Sequence, residues 1–273
     1  MSDVFTLMRG SSPLLLSQPH VGQEIPASIE RRLTEAAKLR PDTDWHIDQL
    51  YKDIAKTLGA TVLTARFSRN VIDLNRDPSG VSLYPGQSVT ELCPTTLFDN
   101  SKLYLDGLEP DDEEIMTRRG VFWQPYHDVL MEEIERVKSA HGYVLLFDCH
   151  SIRSILPRFF EGRLPTLNLG TGNGISMGPT LEHVVEKIAS ASAYSHALNG
   201  RFKGGYITRH YGDPKNDIHA LQMELAQADY MDETPPFSYR ADKAKMLLPT
   251  LKFILEAMLD WGDRAYTSEG TCQ

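Results

Sequence analysis

"LLFDCHSI", residues 145–152, starts as an apolar run and ends on Asp148, Cys149, His150 and Ser151. With Tyr143 and Val144 ahead of it, the run reads as a buried β-strand whose polar end enters a loop. An isolated histidine in such a place is most often a hydrogen-bonded structural group. His150 is not isolated, because "PLLLSQPH" (13–20) is a second apolar strand that stops on a histidine, His20.

Between and beyond these strands the pattern alternates. Helical spacing runs through "ASIERRLTEAAKL" (27–39) and through "DTDWHIDQLYKDIAKTLG" (42–59), where Ile47, Leu50, Tyr51, Ile54 and Leu58 recur, Asp42 or Asp44 can cap the start and Gly59 ends it. "ATVLTARF" (60–67) and "NVIDLN" (70–75) read as strands, and 77–110, rich in Pro, Gly, Ser and Thr, as a long surface loop of a length that is often functional. "DDEEIMTRRG" (111–120) opens a helical region reaching about Ala140, with a break at Pro125. After an irregular passage at 151–178 come the helix "TLEHVVEKIASAS" (180–192), the strands "YITRHYG" (206–212) and "IHALQMELA" (218–226), and a C-terminal helix (241–262) with one apolar stripe. Alternating strands and helices are the signature of an α/β sheet with helices packed on its faces. One domain over 1–273 is the expectation, since the chain carries no repeat or low-complexity tract.

Composition excludes several classes of function. A formal net charge of -9 argues against nucleic acid and anionic membrane surfaces as partners, both of which are bound by concentrated Lys and Arg. No apolar run approaches the roughly 20 residues that a bilayer requires. The opening "MSDVFTLMRGSS" lacks the basic-then-apolar order of a signal peptide. Cys93, Cys149 and Cys272 are scattered and odd in number, which fits reduced thiols and a cytoplasmic protein. "GTGNGISMG" (170–178) is no phosphate loop, because no G-K-[ST] follows.

Four places carry groups able to do chemistry. His20 and His150 both leave the carboxyl ends of strands, where open α/β sheets bind ligands, so the two can converge and supply half of a metal site. Glu24, Asp44 and Asp48 are the candidates for a carboxylate ligand; Asp44 at a helix start is a cap or a ligand, and Asp48 can equally face solvent. Asn75 and Arg76 end "IDLNR" near Arg66 and Arg69, and an arginine fork matches a carboxylate with two parallel hydrogen bonds. Glu224 alternates with Leu221, Met223 and Leu225, so it projects from the opposite face of a buried strand, where a carboxylate becomes a useful base. Cys149 points away from His150 and no G-x-S-x-G occurs, which disfavours nucleophilic catalysis.

These residues sit in long phrases, "LLLSQPHVG", "DTDWHIDQLY", "RNVIDLNRDP", "DCHSIRS", "LPRFFEGRLPTLNLGTGNG", "GRFKGGYITRHYGDP" and "HALQMELAQADYM", in which the chain resembles the N-formylglutamate amidohydrolase (deformylase) family of bacterial histidine degradation. The resemblance covers effectively the whole chain and extends to zinc carboxypeptidases and aspartoacylases. It implies one central mixed sheet with helices on both faces, as in the zinc carboxypeptidase (phosphorylase/hydrolase-like) fold. It implies that His20 and His150 are metal ligands, that Glu224 is the catalytic base, and that Asn75 and Arg76 hold the substrate's α-carboxylate. The family's H-x-x-E spacing is missing after His20, so "DTDWH" points to Asp44 as third ligand, with Asp48 and Glu24 as alternatives.

Arg69 or Arg66 is then the oxyanion partner; Arg153, Arg158, Arg209 and Tyr211 are candidates for the side-chain carboxylate; and His46, Asp48, His210 and His219 are candidates to accept from the imidazoles. The implied activity is metal-dependent hydrolysis of N-formyl-L-glutamate to formate and glutamate by a monomer or small homo-oligomer. Zinc, cobalt, iron or nickel suits such a ligand set. The competing readings are a hydrolase of another N-acyl acidic amino acid, such as N-acylaspartate or N-formimidoylglutamate, a binding protein without catalysis, and a structural protein.

Overall fold

The computed structural model describes residues 4–81 and 89–267; Cys272 and residues 82–88 of the long loop lie outside them. Seven strands are found among the described residues: β1 (Phe5–Met8), β2 (Leu14–Gln18), β3 (Thr61–Ala65), β4 (Val144–Ile152), β5 (Leu167–Gly170), β6 (His196–Leu198) and β7 (Ile218–Ala226). They form one sheet in the order β1-β3-β2-β4-β7-β5-β6. β3, β2, β4 and β7 are mutually parallel, whereas β1 runs antiparallel to β3 and β5 antiparallel to β7, so the sheet is mixed. β4 is hydrogen-bonded on both edges, and all nine of its residues are buried. A strand covered on both faces reads as a near-continuous apolar run, which is why "VLLF" is so strong a signal.

The helices are α1 (Ala27–Glu30), α2 (Glu35–Lys38), α3 (Ile47–Thr57), α4 (Asp112–Arg118), α5 (Gln124–His141), α6 (Pro179–Ala191), α7 (Tyr206–Tyr211) and α8 (Ala241–Thr267). One sheet face, presenting Leu14, Leu16, Phe147, Leu221 and Met223, packs against Leu50 and Ile54 of α3, Leu181 and Val185 of α6, and Leu247, Leu251 and Ile254 of α8. The other face, with Leu15, Leu63, Val144, Leu146 and Ala220, packs against Tyr126, Leu130, Ile134 and Val137 of α5. Each fully buried leucine stabilises the fold by about 1.5–3 kcal/mol. On β4 and β7 the α5-side row continues, at a period of two, past Leu146 and Ala220 into Asp148, His150, Gln222 and Glu224. The same alternation that builds the core therefore delivers the polar groups to one side of the strand ends.

Several local expectations need correction. "NVIDLN" is not a strand but a run of turns, because Asp73 accepts from the backbone of Asn75 (2.9 Å), Val71 N–H closes onto Ser68, and Arg118 takes the Val71 carbonyl (2.9 Å). "YITRHYG" forms the helix α7, in which Tyr206 and His210 stack one turn apart at 4.7 Å. Helix 27–39 breaks into α1 and α2, with Thr34 capping α2. α3 starts from His46 in the left-handed region, with neither Asp42 nor Asp44 as its side-chain cap. β5 interrupts the stretch expected to be irregular, and β1 and β6 are additions to the expected strands. The stretch 77–110 is less superficial than its composition suggests, since Leu92, Cys93, Leu97, Phe98, Leu103 and Tyr104 are buried. The break near Pro125 is a π-helical turn at Arg119–Trp123, with Pro125 in the first turn of α5.

His127 of α5 anchors the turns at 70–76 by donating from Nε2 to the Leu74 carbonyl (2.8 Å), while Nδ1 faces the Tyr211 hydroxyl at 3.0 Å. Burial disfavours its charge and depresses its pKa from 6.5 to about 3. The unfolded chain therefore binds a proton at this position below pH 6.5 that the folded chain refuses, and stability falls as pH drops. Denaturant titrations of wild type and His127→Gln should show a loss between pH 6.5 and 5 that is about 1.5 kcal/mol larger in wild type; parallel curves would show that His127 does not set it.

Candidate metal and active site

His20 leaves β2 two residues after its end, Asp44 precedes α3, and His150 lies near the end of β4. The Asp44 amide donates to the His20 carbonyl (3.0 Å), tying the two loops together. The three side chains meet: their potential ligand atoms lie within 4.8 Å of one another, all buried. Asp44 Oδ2 is 3.7 Å from His20 Nδ1 and 3.0 Å from His150 Nδ1. Glu24, by contrast, pairs with Arg66 (2.7 Å), and Asp48 lies on the exposed face of α3, so neither alternative ligand reaches the trio.

The opposite edge of each ring is held by a carboxylate. His20 Nε2 lies 2.8 Å from Asp73 Oδ1, and His150 Nε2 lies 2.9 Å from Asp148 Oδ2. Arg69 Nη1, which can only donate, sits 3.1 Å from His20 Nδ1, so Nδ1 carries the lone pair and Nε2 carries the hydrogen. Fixing a tautomer in this way is what a carboxylate behind a metal-binding imidazole does. His46, Asp48, His210 and His219, candidates either to accept from the imidazoles or to serve the fold, do not hold these edges: His46 faces the Phe237 carbonyl, Asp48 is exposed, His210 stacks on Tyr206, and His219 lies between Gly178 N–H and the Tyr266 hydroxyl. The signal for Asp148 was present in the sequence, two residues before His150 on the same strand face. Asp73 was masked by the reading of its segment as a strand.

The donor set fits a small divalent ion. Tetrahedral ligand atoms about 2.1 Å from such an ion are about 3.4 Å apart, close to the separations around Asp44 Oδ2. Asp44 Oδ1 is buried with no hydrogen-bond partner among the described residues; Arg69 Nη1 stands 3.7 Å away, too far for a hydrogen bond, so the oxygen keeps a lone pair that a bound cation could take. Burial works against ionised Asp44, but the hydrogen bond from His150 and the His20 imidazole beside it outweigh that effect and hold its pKa below the carboxylate range. Burial likewise opposes a charge on His150, yet Asp148 and Asp44 on either side raise its pKa well above the ordinary value. A site that holds a proton this tightly between imidazole and carboxylate attracts a metal cation for the same reason.

Glu224 stands beside His150 in the parallel register of β4 and β7. It accepts from Gln222 Nε2 (3.1 Å), and burial pushes its pKa up to about 8, with Asp44 and Asp148 adding to the rise against His150 and Arg69. Glu224 lines a cavity together with His20, His150, Arg69, Asn75 and Arg76. Arg69 is buried and paired with Asp73 at 2.6 Å. Arg76 donates to the Thr90 carbonyl (3.1 Å) and hydroxyl (3.1 Å). Asn75 has both ends of its amide engaged: Nδ2 donates to Asp148 (3.0 Å), and Oδ1 accepts from the Ile207 amide at the start of α7 (2.8 Å). Gly205 makes this approach possible, since an added Cβ would lie 2.4 Å from Asn75 Nδ2.

The remaining sequence candidates are not brought to this cavity. Arg66 pairs with Glu24, Arg153 with Asp42 (3.0 Å), and Arg209 donates to the Gly204 carbonyl (2.8 Å). The Tyr211 hydroxyl is turned to His127. The cavity wall instead carries Arg201, with Phe98, Phe159 and Phe202 around it. Sequence reasoning missed Arg201 because it lies in a loop of no regular period.

A family model of N-formylglutamate amidohydrolase matches residues 12–231. The N-formylglutamate deformylase of Pseudomonas putida is 49% identical over 267 residues, covering 97% of this chain and 99% of that protein. The enzyme of the same name from Pseudomonas aeruginosa is 48% identical over 267 residues, 97% of this chain and 100% of that protein. The crystal structure of N-formylglutamate amidohydrolase from Ralstonia eutropha JMP134 superposes with a TM-score of 0.79 at 25% identity, covering 96% of this chain and 98% of that one. The chain belongs to the N-formylglutamate amidohydrolase family.

Proposed function

We propose that this protein is an N-formylglutamate deformylase, a metal-dependent hydrolase that cleaves the formyl amide of N-formyl-L-glutamate to formate and L-glutamate in the last step of a histidine-degradation route. The observation that carries the reading is the buried His20, Asp44 and His150 trio with Glu224 on the neighbouring strand. The near full-length identity to two deformylases supports the substrate. A divalent first-row ion held by the trio, zinc or alternatively cobalt, iron or nickel, would supply Lewis acidity toward the formyl oxygen and lower the pKa of a water.

The chain's own groups do the rest. Glu224 takes the proton of the attacking water and returns it to the amide nitrogen as the C–N bond breaks, a double task that suits a carboxyl whose pKa stands near neutrality. Arg69 stays charged because Asp73 and Asp44 outweigh the effect of its burial, and it donates to the oxygen that becomes negative. Arg76, braced by Thr90, grips the α-carboxylate from the cavity wall, and Asn75 fixes the turn that carries it. Asp73 and Asp148 keep Nδ1 of each imidazole turned toward Asp44. The same reading makes the enzyme cytoplasmic, with a small-molecule substrate and a monomeric or small homo-oligomeric state. No helix among the described residues is long and apolar enough to cross a membrane.

Formate release from N-formyl-L-glutamate should disappear on chelation and return with added zinc or cobalt; protein that binds metal yet releases no formate would remove the substrate from the reading. Glu224→Gln should lower kcat by roughly 100- to 10,000-fold with metal content unchanged, as measured by elemental analysis beside the assay. Asp73→Asn should weaken metal affinity by roughly 10- to 100-fold through loss of the acceptor behind His20, measured by competition with a chromogenic chelator.

A further inference from the structure

We propose that Arg201 receives the side-chain carboxylate of the substrate, so that this one guanidinium makes the enzyme selective for an acidic acyl amino acid. The inference rests on the amidohydrolase reading above and assigns the second anionic subsite of the same cavity.

Three arginines line the cavity, Arg69, Arg76 and Arg201. Arg69 is committed to the buried carboxylates Asp73 and Asp44, at 2.6 and 3.7 Å. A formylated dicarboxylic amino acid brings two carboxylates to a wall that also carries Arg76 and Arg201. Arg201 is built into position rather than draped over the surface. Its Nε donates to the Phe159 carbonyl at 2.6 Å, and its guanidinium lies 5.6 Å from the Phe159 ring and 5.4 Å from the Phe202 ring. A planar guanidinium stacked between aromatic rings keeps its fork in one orientation and loses little freedom on binding a carboxylate.

The cavity wall also carries Phe98, Ile152, Phe159 and Phe202. That surface suits methylene groups, the part of a glutamate side chain that separates its two acids. Arg153, Arg158 and Arg209 are the other cations considered for this role, and none lines the cavity: Arg153 pairs with Asp42, Arg158 donates to Thr96 and the Leu97 carbonyl, and Arg209 donates to the Gly204 carbonyl.

The test compares kcat/KM for N-formyl-L-glutamate and for the neutral isostere N-formyl-L-glutamine, using the metal-loaded enzyme, Arg201→Gln and Arg201→Lys. Wild type should prefer the acidic substrate, and Arg201→Gln should shrink that preference by roughly 30-fold or more, chiefly through KM. Arg201→Lys, which keeps the charge but not the fork, should fall between the two and carries the test if the glutamine variant does not fold. A preference that survives both substitutions overturns the assignment. Wild type that cleaves both substrates equally also overturns it and leaves the amidohydrolase reading standing, whereas wild type that cleaves neither removes that reading and this inference with it.

Discussion

Four carboxyl groups, Asp44, Asp73, Asp148 and Glu224, are buried around two imidazoles, and the fold can hold them only if their charge is balanced. An unpaired ion in such surroundings costs several kcal/mol, so every one of these groups has to be answered. Asp73 is answered by Arg76, His20 and Arg69, which hold its pKa well below the usual range in spite of burial. Asp148 is answered by His150 and Asn75. Glu224 is answered differently, by retaining its proton until pH is near 8. Asp44 and Asp148 each keep one buried oxygen that lacks a hydrogen-bond partner among the described residues. Two positive charges from a metal, taken up in exchange for the proton on His150, would neutralise the three aspartates together with Arg69. With a cation held by the trio, Glu224 would stand as a carboxylate able to act as a base.

The balance depends on register. β4 and β7 run parallel with His150 opposite Glu224 and Asp148 opposite Gln222, so a slip of one residue would turn all four polar groups into the apolar layer under α3 and α8. The leucines and phenylalanine at 145, 147, 221, 223 and 225, with Met223 among them, prevent that slip by needing the same layer for themselves. Core packing and catalytic placement are thus one constraint, enforced along two adjacent strands.

This is also why so much was legible. His20, His150 and Glu224 could be placed from the sequence because each sits at or beside the end of a strand whose apolar run or alternation is unmistakable. Asp44 needed the family phrase, since a carboxylate before a helix usually caps it and here does not. The failures have a common physical origin. "NVIDLN" and "YITRHYG" are rich in the branched and aromatic residues that favour strands, yet tertiary hydrogen bonds hold the first as turns and the second as α7. Arg201 was invisible because its position is set by two loops meeting, a relation that no local period reports.

The two misread segments are the ones that the site joins. Asn75 reaches from the turns to α7, where its oxygen takes the first-turn amide of Ile207, and from the same side chain to Asp148 and His150 on β4. One amide therefore ties a loop, a short helix and the central strand, and it can do so because Gly205 leaves room for it. A sequence in which local preference and final structure disagree must stabilise the difference elsewhere, and disagreements of that kind gather at functional sites. Here the compensating interactions are those of Asn75, His127 and Arg118 with the backbone of 71–76 and α7. They hold Arg76 against the cavity, so that the segment whose preferences are overridden is also the one that presents a cation to the substrate.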